Sequence, residues 1–197
     1  MQSVVSAPTP DLKPHRFTIE DYLAMGSAGI LDPEDRVELV DGQVVAMSPI
    51  GNWHSTSVRR LARIFLAQVP EAVLVDVQNG LDIGVHTQVV PDLMLIPVAF
   101  SAWDKPVRGQ DVLLVVEVAE SSIASDRTIK ARLYATAGVP EYWVVDLTGR
   151  AVEAFRDPRE GSYRSRTVYT SGDVVQAEMV AGIAIPVAEV VPPRDAG

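Results

Sequence analysis

The chain contains no cysteine, and that absence alone removes disulfides, thiolate zinc sites and cysteine nucleophiles. It fits a reducing compartment, so the expected location is the cytoplasm. No apolar run approaches the roughly 18 residues of a membrane helix, and a membrane is not an expected partner. Met1 to Pro14 lacks the basic start and apolar stretch of a signal peptide. Aromatic residues make up only 6% of the chain, too few to point to a sugar-binding platform. Basic residues are also scarce: 17 Lys and Arg stand against 26 Asp and Glu, for a net charge of −9. That balance argues against a broad surface coating nucleic acid, although bound cations cancel acidity wherever a phosphate must approach. There is no phosphate-cradling glycine loop and no Ser-His-Asp constellation, which disfavours nucleotide-dependent enzymes and serine hydrolases.

What is present is a globular composition over 197 residues, 47% of them hydrophobic, enough for one domain with a substantial core. The domain is placed at residues 15–191, with disordered tails at 1–14 and 192–197 suggested by Ser, Pro and Gln at one end and a similar composition at the other. Thr18, with Asp21 in the capping-box position, starts a helix through Met25. Two apolar runs around Asp41-Gly42 predict a β-hairpin over 37–47. A helix follows from about His54 to Gln68, capped by Asn52 or Ser55. Val58, Leu61, Ala62, Phe65 and Leu66 form its buried stripe, and Arg59, Arg60 and Arg63 lie elsewhere on it. Strands are expected at 72–77, 80–85, 88–96 and 111–118, and a helix at 125–137 stopped by Gly138-Val139-Pro140. Glu141–Asp146 and Ala151–Phe155 read as strands, with shorter β-like pieces after them. The order gives a mixed sheet flanked by helices, an α/β or α+β domain with an N-terminal helix and hairpin.

Glu117 is the most informative residue. It interrupts the apolar strand Val112-Leu113-Leu114-Val115-Val116, where a carboxylate loses hydration and needs a cation, a donor or a proton. Asp92 interrupts a second apolar run. Downstream, Asp126 and Lys130 stand four residues apart on a helix, so they share a face. Two carboxylates on strands and a lysine nearby suit a divalent metal and a polarised phosphate, and oxygen donors without cysteine favour Mg²⁺ or Mn²⁺ over zinc. Against this stand ordinary alternatives: strand-end carboxylates reaching solvent, a Lys130–Asp126 pair or an Asp126 cap, and a solvated outward Glu38. His54, at a helix start, either is exposed or assists a phosphate or water, and His15 and His86 read as structural. The arginines of the long helix, with Arg127 and Arg132, form solvated faces or meet phosphates.

The hairpin Val37-Glu38-Leu39-Val40-Asp41-Gly42-Gln43-Val44-Val45-Ala46-Met47-Ser48-Pro49 with His54 after it, then Val90-Pro91-Asp92, Leu114-Val115-Val116-Glu117-Val118, Asp126, Lys130 and Tyr134, and finally Ala137-Gly138-Val139-Pro140-Glu141-Tyr142-Trp143-Val144-Val145-Asp146, resemble the Uma2 (DUF820) family in its own order, over about residues 17–190. Gly-Val-Pro-Glu-Tyr-Trp is the most specific piece. The resemblance implies a PD-(D/E)XK, restriction-endonuclease-like fold. It also implies a metal site on Asp92 and Glu117. The expected shell is completed by the Val118 carbonyl and Glu38, with His54 and Asp126 as supporting groups. The usual nuclease lysine two residues after the glutamate is replaced here by Ala119. Lys130 matches the helix lysine that takes its place in Uma2-type sequences. Where the family commonly has Ser-Pro-Ser after its glutamate strand, this chain has Ala119-Glu120-Ser121-Ser122.

The expected activity is therefore a Mg²⁺- or Mn²⁺-dependent endonuclease on DNA or another nucleic acid, working as a homodimer and using the β-rich Tyr163–Pro186 segment as an edge. One rival is an inactive dimeric binding or interaction module of the same fold. A sugar hydrolase with paired carboxylates ranks below both.

Overall fold

The computed structural model describes residues 13–32, 34–101 and 105–194. The expected tails fall mainly on residues 1–12 and 195–197, and the expected surface loop includes Trp103 and Asp104; all of these lie outside the described residues. Helix α1 (Ile19–Ser27) has the complete capping box: Thr18 accepts from the Asp21 N–H and Asp21 accepts from the Thr18 N–H. Strands β1 (Val37–Val40) and β2 (Gln43–Ala46) pair antiparallel. Asp41 (φ 52°) and Gly42 (φ 80°) both take the left-handed conformation that a two-residue hairpin loop needs. A Cβ at position 42 would also collide with Arg16.

Helix α2 (Asn52–Gln68) begins earlier than the sequence suggested and has Gly51 as its N-cap, with no side-chain cap from Asn52 or Ser55. Val58, Leu61 and Phe65 are buried, but Leu66 is 65% exposed. It follows Phe65 by one residue, a turn of about 100° away from the buried stripe. Strands β3 (Val73–Val77), β4 (Leu81–Ile83), β5 (Thr87–Val89) and β6 (Leu93–Pro97) come next. The single strand expected over 88–96 is thus two, separated by Val90-Pro91-Asp92. Pro91 has no N–H to continue a ladder, and the chain passes there from one sheet into another.

Beyond β7 (Leu114–Ala119), the helical crossing consists of α3 (Ile123–Ser125), a π turn at Asp126–Lys130 and α4 (Ala131–Thr136). Gly138 (φ 78°) ends it, and the Val139 N–H caps the Tyr134 carbonyl at 3.0 Å. The chain finishes with β8 (Glu141–Asp146), β9 (Ala151–Arg159), β10 (Ser162–Thr170), β11 (Val174–Gln176), β12 (Ala184–Pro186) and α5 (Val187–Val190). β9 and β10 are nine residues each, longer than the short pieces expected.

A six-stranded sheet runs β10-β9-β8-β7-β6-β3 and a four-stranded one β2-β1-β5-β4. In the large sheet only β7 and β8 are parallel, joined by the helical crossing, which makes the sheet mixed. Its central strands are buried on both faces. Leu93, Leu95, Leu114, Val116, Val118, Trp143 and Val145 pack with α2, while Met94, Ile96, Val115, Tyr142 and Val144 pack with Ala131 and Tyr134 of the crossing. That two-sided burial is why the strands read as unbroken apolar runs. Alternation along β7 then assigns Glu117 to the face covered by the crossing.

One buried carboxylate ties the sheet to the C-terminal segment. Glu141 is fully buried and accepts from the Trp143 indole N–H (2.8 Å), the Arg156 guanidinium (2.9 Å) and the backbone N–H groups of Glu178 (2.8 Å) and Met179 (3.3 Å). The Gly-Val-Pro-Glu-Tyr-Trp stretch is therefore a structural junction. Truncation would take the buried carboxylate from Arg156, leaving it Glu178 and the Gln176 carbonyl, and would strand three N–H donors, so Glu141→Ala is expected to cost about 3 kcal/mol. Urea denaturation checks this as a lower midpoint; a loss under about 1 kcal/mol would show that Arg156 and the two backbone N–H groups find other partners.

Candidate active site

Both strand carboxylates singled out in the sequence open onto one cleft of about 530 Å³, together with Glu38, His54, Val118, Asp126 and Lys130. The fold explains the convergence. β6 and β7 run antiparallel with Leu93 opposite Val116, so Asp92, just before β6, lies beside the end of β7. The Asp92 Oδ2 accepts from the Val118 backbone N–H at 2.9 Å and contacts His54 Nε2 at 3.0 Å. Its Oδ1 accepts from Gln78 Nε2 at 3.3 Å. With Asp92 as acceptor, His54 carries its proton on Nε2; its Nδ1 is buried without a partner among the described residues. The Val118 N–H is thus committed to Asp92.

Glu117 is 4% exposed. Its Oε1 accepts from Lys130 Nζ at 2.9 Å and from the Tyr134 hydroxyl at 2.5 Å. Lys130 and Tyr134 are four residues apart and descend on Glu117 from the same side of the crossing. Lys130 also reaches Glu38 Oε1 at 3.3 Å, and that oxygen takes the Val90 N–H at 2.8 Å. Glu38 is 5% exposed, so it faces the cleft rather than solvent.

The expected Asp126–Lys130 relation differs in detail. In the π turn the Ala131 N–H donates to the Asp126 carbonyl, five residues back, which widens the helix at the site. Asp126 neither pairs directly with Lys130 nor caps a helix; its Oδ2 accepts from Ser122 Oγ at 2.6 Å. Lys130 is freed to bridge Glu117 and Glu38. Arg127 turns to the sheet, where Asp146 (2.8 Å) and Glu153 hold it. His86 is structural, with Nδ1 2.8 Å from the Phe17 carbonyl. Gln78, which carries no chemical pattern, was not singled out from the sequence, and Tyr134 entered as part of the family resemblance, without a role, although its spacing from Lys130 was a usable signal.

Burial dominates the electrostatics. It pushes the Glu117 carboxyl up to about 8, the nearby Lys130 ammonium pulling the other way and Asp92, Asp126 and Glu38 adding to the rise. Burial likewise raises Asp126, eased by Ser122 and Lys130. For Lys130, burial disfavours the charge, but Glu117, Glu38 and Asp126 outweigh it, so the ammonium is held charged. Among the described residues no three His, Cys, Asp or Glu side chains are grouped as a ready metal cage.

A native proton on Glu117 that the unfolded chain has already lost makes stability fall as pH rises between about 4.5 and about 8. Urea denaturation of metal-free protein at the two ends of that window is expected to show this, with a smaller loss in Glu117→Gln. Equal pH dependence in both proteins would contradict it.

The sequence profile of the Uma2 family, described as "Putative restriction endonuclease", matches residues 19–188. No curated protein matches the chain. Among solved structures, a "putative nuclease belonging to DUF820" from Anabaena variabilis ATCC 29413 is similar at a TM-score of 0.67 and 11% identity, over 88% of this chain and 97% of that one. At that identity the likeness is one of fold. Within the described residues no helix is long and apolar enough to cross a membrane. The profile match covers most of the chain, and the protein belongs to the Uma2 family.

Proposed function

We propose that this chain is a divalent-metal-dependent endonuclease that hydrolyses phosphodiester bonds in DNA or another nucleic acid. The observation that carries the reading is a lysine ammonium bridging two buried glutamates, Glu117 and Glu38, in the same cleft as Asp92. The donors suit Mg²⁺ or Mn²⁺. Asp92, Glu117 and Glu38 offer hard oxygens, and both hydrogen bonds to Glu117 fall on Oε1, leaving Oε2 without a protein donor among the described residues. Mg²⁺ commonly takes one or two carboxylates and completes its shell with water and phosphate, so the absence of a three-residue cage suits it. When bound, such an ion supplies an activated water and charge stabilisation on the phosphate.

The protein's own residues do the rest. His54, Gln78 and the Val118 N–H fix the Asp92 carboxylate. Tyr134 and Lys130 fix Glu117, and the half-buried Lys130 ammonium offsets charge that develops on the phosphate oxygens. Asp126 is a supporting group on the same crossing. A second reading, a non-catalytic binding module of the same fold, is favoured by Ala119 standing where nucleases usually carry a lysine and by the net charge of −9.

Cleavage of plasmid and single-stranded DNA with Mg²⁺ or Mn²⁺ separates the two. Wild type is expected to cut and Glu117→Ala to lose both Mn²⁺ binding and cutting. Lys130→Ala is expected to keep calorimetric Mn²⁺ affinity and lose about 10²-fold in rate. Wild type inert with either metal would leave the module; undiminished cutting by Lys130→Ala would remove its catalytic role.

The active form is proposed to be a homodimer. Of the β-rich segment expected to supply an edge, β10 is an edge strand of the six-stranded sheet, whereas Val175, Ile183 and Ile185 of its later part are buried in the core. Light scattering at micromolar concentration is expected to give twice the chain mass, and a monomer mass would rule the dimer out.

A further inference from the structure

Trp53 is the neighbour of His54 in the first turn of α2, and consecutive helix residues diverge by about 100°. His54 therefore turns into the catalytic cleft while Trp53 stays 43% exposed. An exposed indole offers a flat face on which a planar ring can stack. It forms one wall of a hollow of about 280 Å³ whose other walls include Thr148, Arg150, Pro193 and Arg194. Glu120 lines both this hollow and the catalytic cleft, so the two adjoin. The joint between them is tight: a Cβ on Gly51, the N-cap of α2, would sit 2.2 Å from a Glu120 carboxylate oxygen. Neither Arg150 nor Arg194 enters an ion pair among the described residues, unlike Arg127, Arg156 and Arg166, which carboxylates hold.

We infer that Trp53, with Arg150 and Arg194, is a subsite for a single-stranded stretch of nucleic acid leading to or from the cleft. An unpaired base stacks on the indole, and the guanidinium groups take the adjoining phosphates. A duplex keeps its bases stacked on one another and has no face to offer an indole, whereas single strands are held by an aromatic platform beside basic groups. The choice of nucleic acid as occupant rests on the nuclease reading; the stacking itself does not depend on catalysis.

The test uses the full chain in a chelator, so that no cutting occurs, with a short oligothymidylate as probe. Binding is expected to quench tryptophan fluorescence, and Trp53→Ala to abolish the quench and weaken affinity on the order of tenfold or more. Trp53→Phe, which keeps a stacking ring, is expected to recover most of the affinity. Arg150→Ala and Arg194→Ala are each expected to lower the salt dependence of binding by about 0.7 for every phosphate left without its guanidinium. Equal affinity of wild type and Trp53→Ala, or no binding of the oligothymidylate, overturns the subsite. Quenching by a protein that cuts nothing with metal would leave the subsite standing while the nuclease reading falls. Cutting of plasmid without any quench would do the reverse.

Discussion

A carboxylate held in the middle of a strand that is buried on both faces obliges the surrounding structure to supply partners, and the arrangement around Glu117 follows from that. Leaving such a group without partners would cost several kcal/mol, so its neighbours come from elements that must pack there in any case. The crossing between the parallel strands β7 and β8 has to cover that face of the sheet, and it does so with Tyr134 and Lys130 aimed at one oxygen. Lys130, itself half-buried, meets a second anion, which the hairpin provides as Glu38. Core and candidate site are thus one construction. The four-stranded sheet is attached to the six-stranded one partly through this ammonium.

The same logic recurs away from the cleft. Glu141 and Glu153 are buried on the large sheet and are met by Arg156 and by Arg127 with Arg166. These networks use up cations that a count of basic residues would assign to nucleic acid. They also explain how a chain of net charge −9 keeps its acids inside: several of the 26 are internal, neutralised or hydrogen-bonded. The two kinds of network differ in use. Around Glu141 the donors are a guanidinium, backbone N–H groups and an indole, which lock segments together, whereas the partners of Glu117 and Glu38 border an open cleft.

Much of this was legible in the sequence because the signals were local. Asp41-Gly42 requires left-handed backbone, Thr18 and Asp21 cap one another, and Gly138 ends a helix, each through contacts a few residues apart. Glu117 and Asp92 were visible as polar interruptions of apolar runs. What was missed depends on the fold as a whole. The break at Pro91 divides two sheets, which periodicity cannot show when both pieces are apolar. The π turn at Asp126–Lys130 adds a residue to one helical turn without any sequence mark, and it converts an expected i,i+4 pair into separate roles. Gln78 reaches Asp92 only because β3 is the outer neighbour of β6. Arg127, on the sequence a solvated helix residue or a phosphate contact, is paired by the sheet with Asp146 and Glu153.

The central claim is that Asp92 and Glu117 hold one divalent ion beside Lys130. Anomalous diffraction from crystals soaked in Mn²⁺ tests it most directly. The account predicts a single strong peak in the cleft within coordination distance of both carboxylates, with the Lys130 ammonium close by but not bonded to the ion. A map without a peak there, with Lys130 still bridging Glu117 and Glu38 at saturating Mn²⁺, would contradict it.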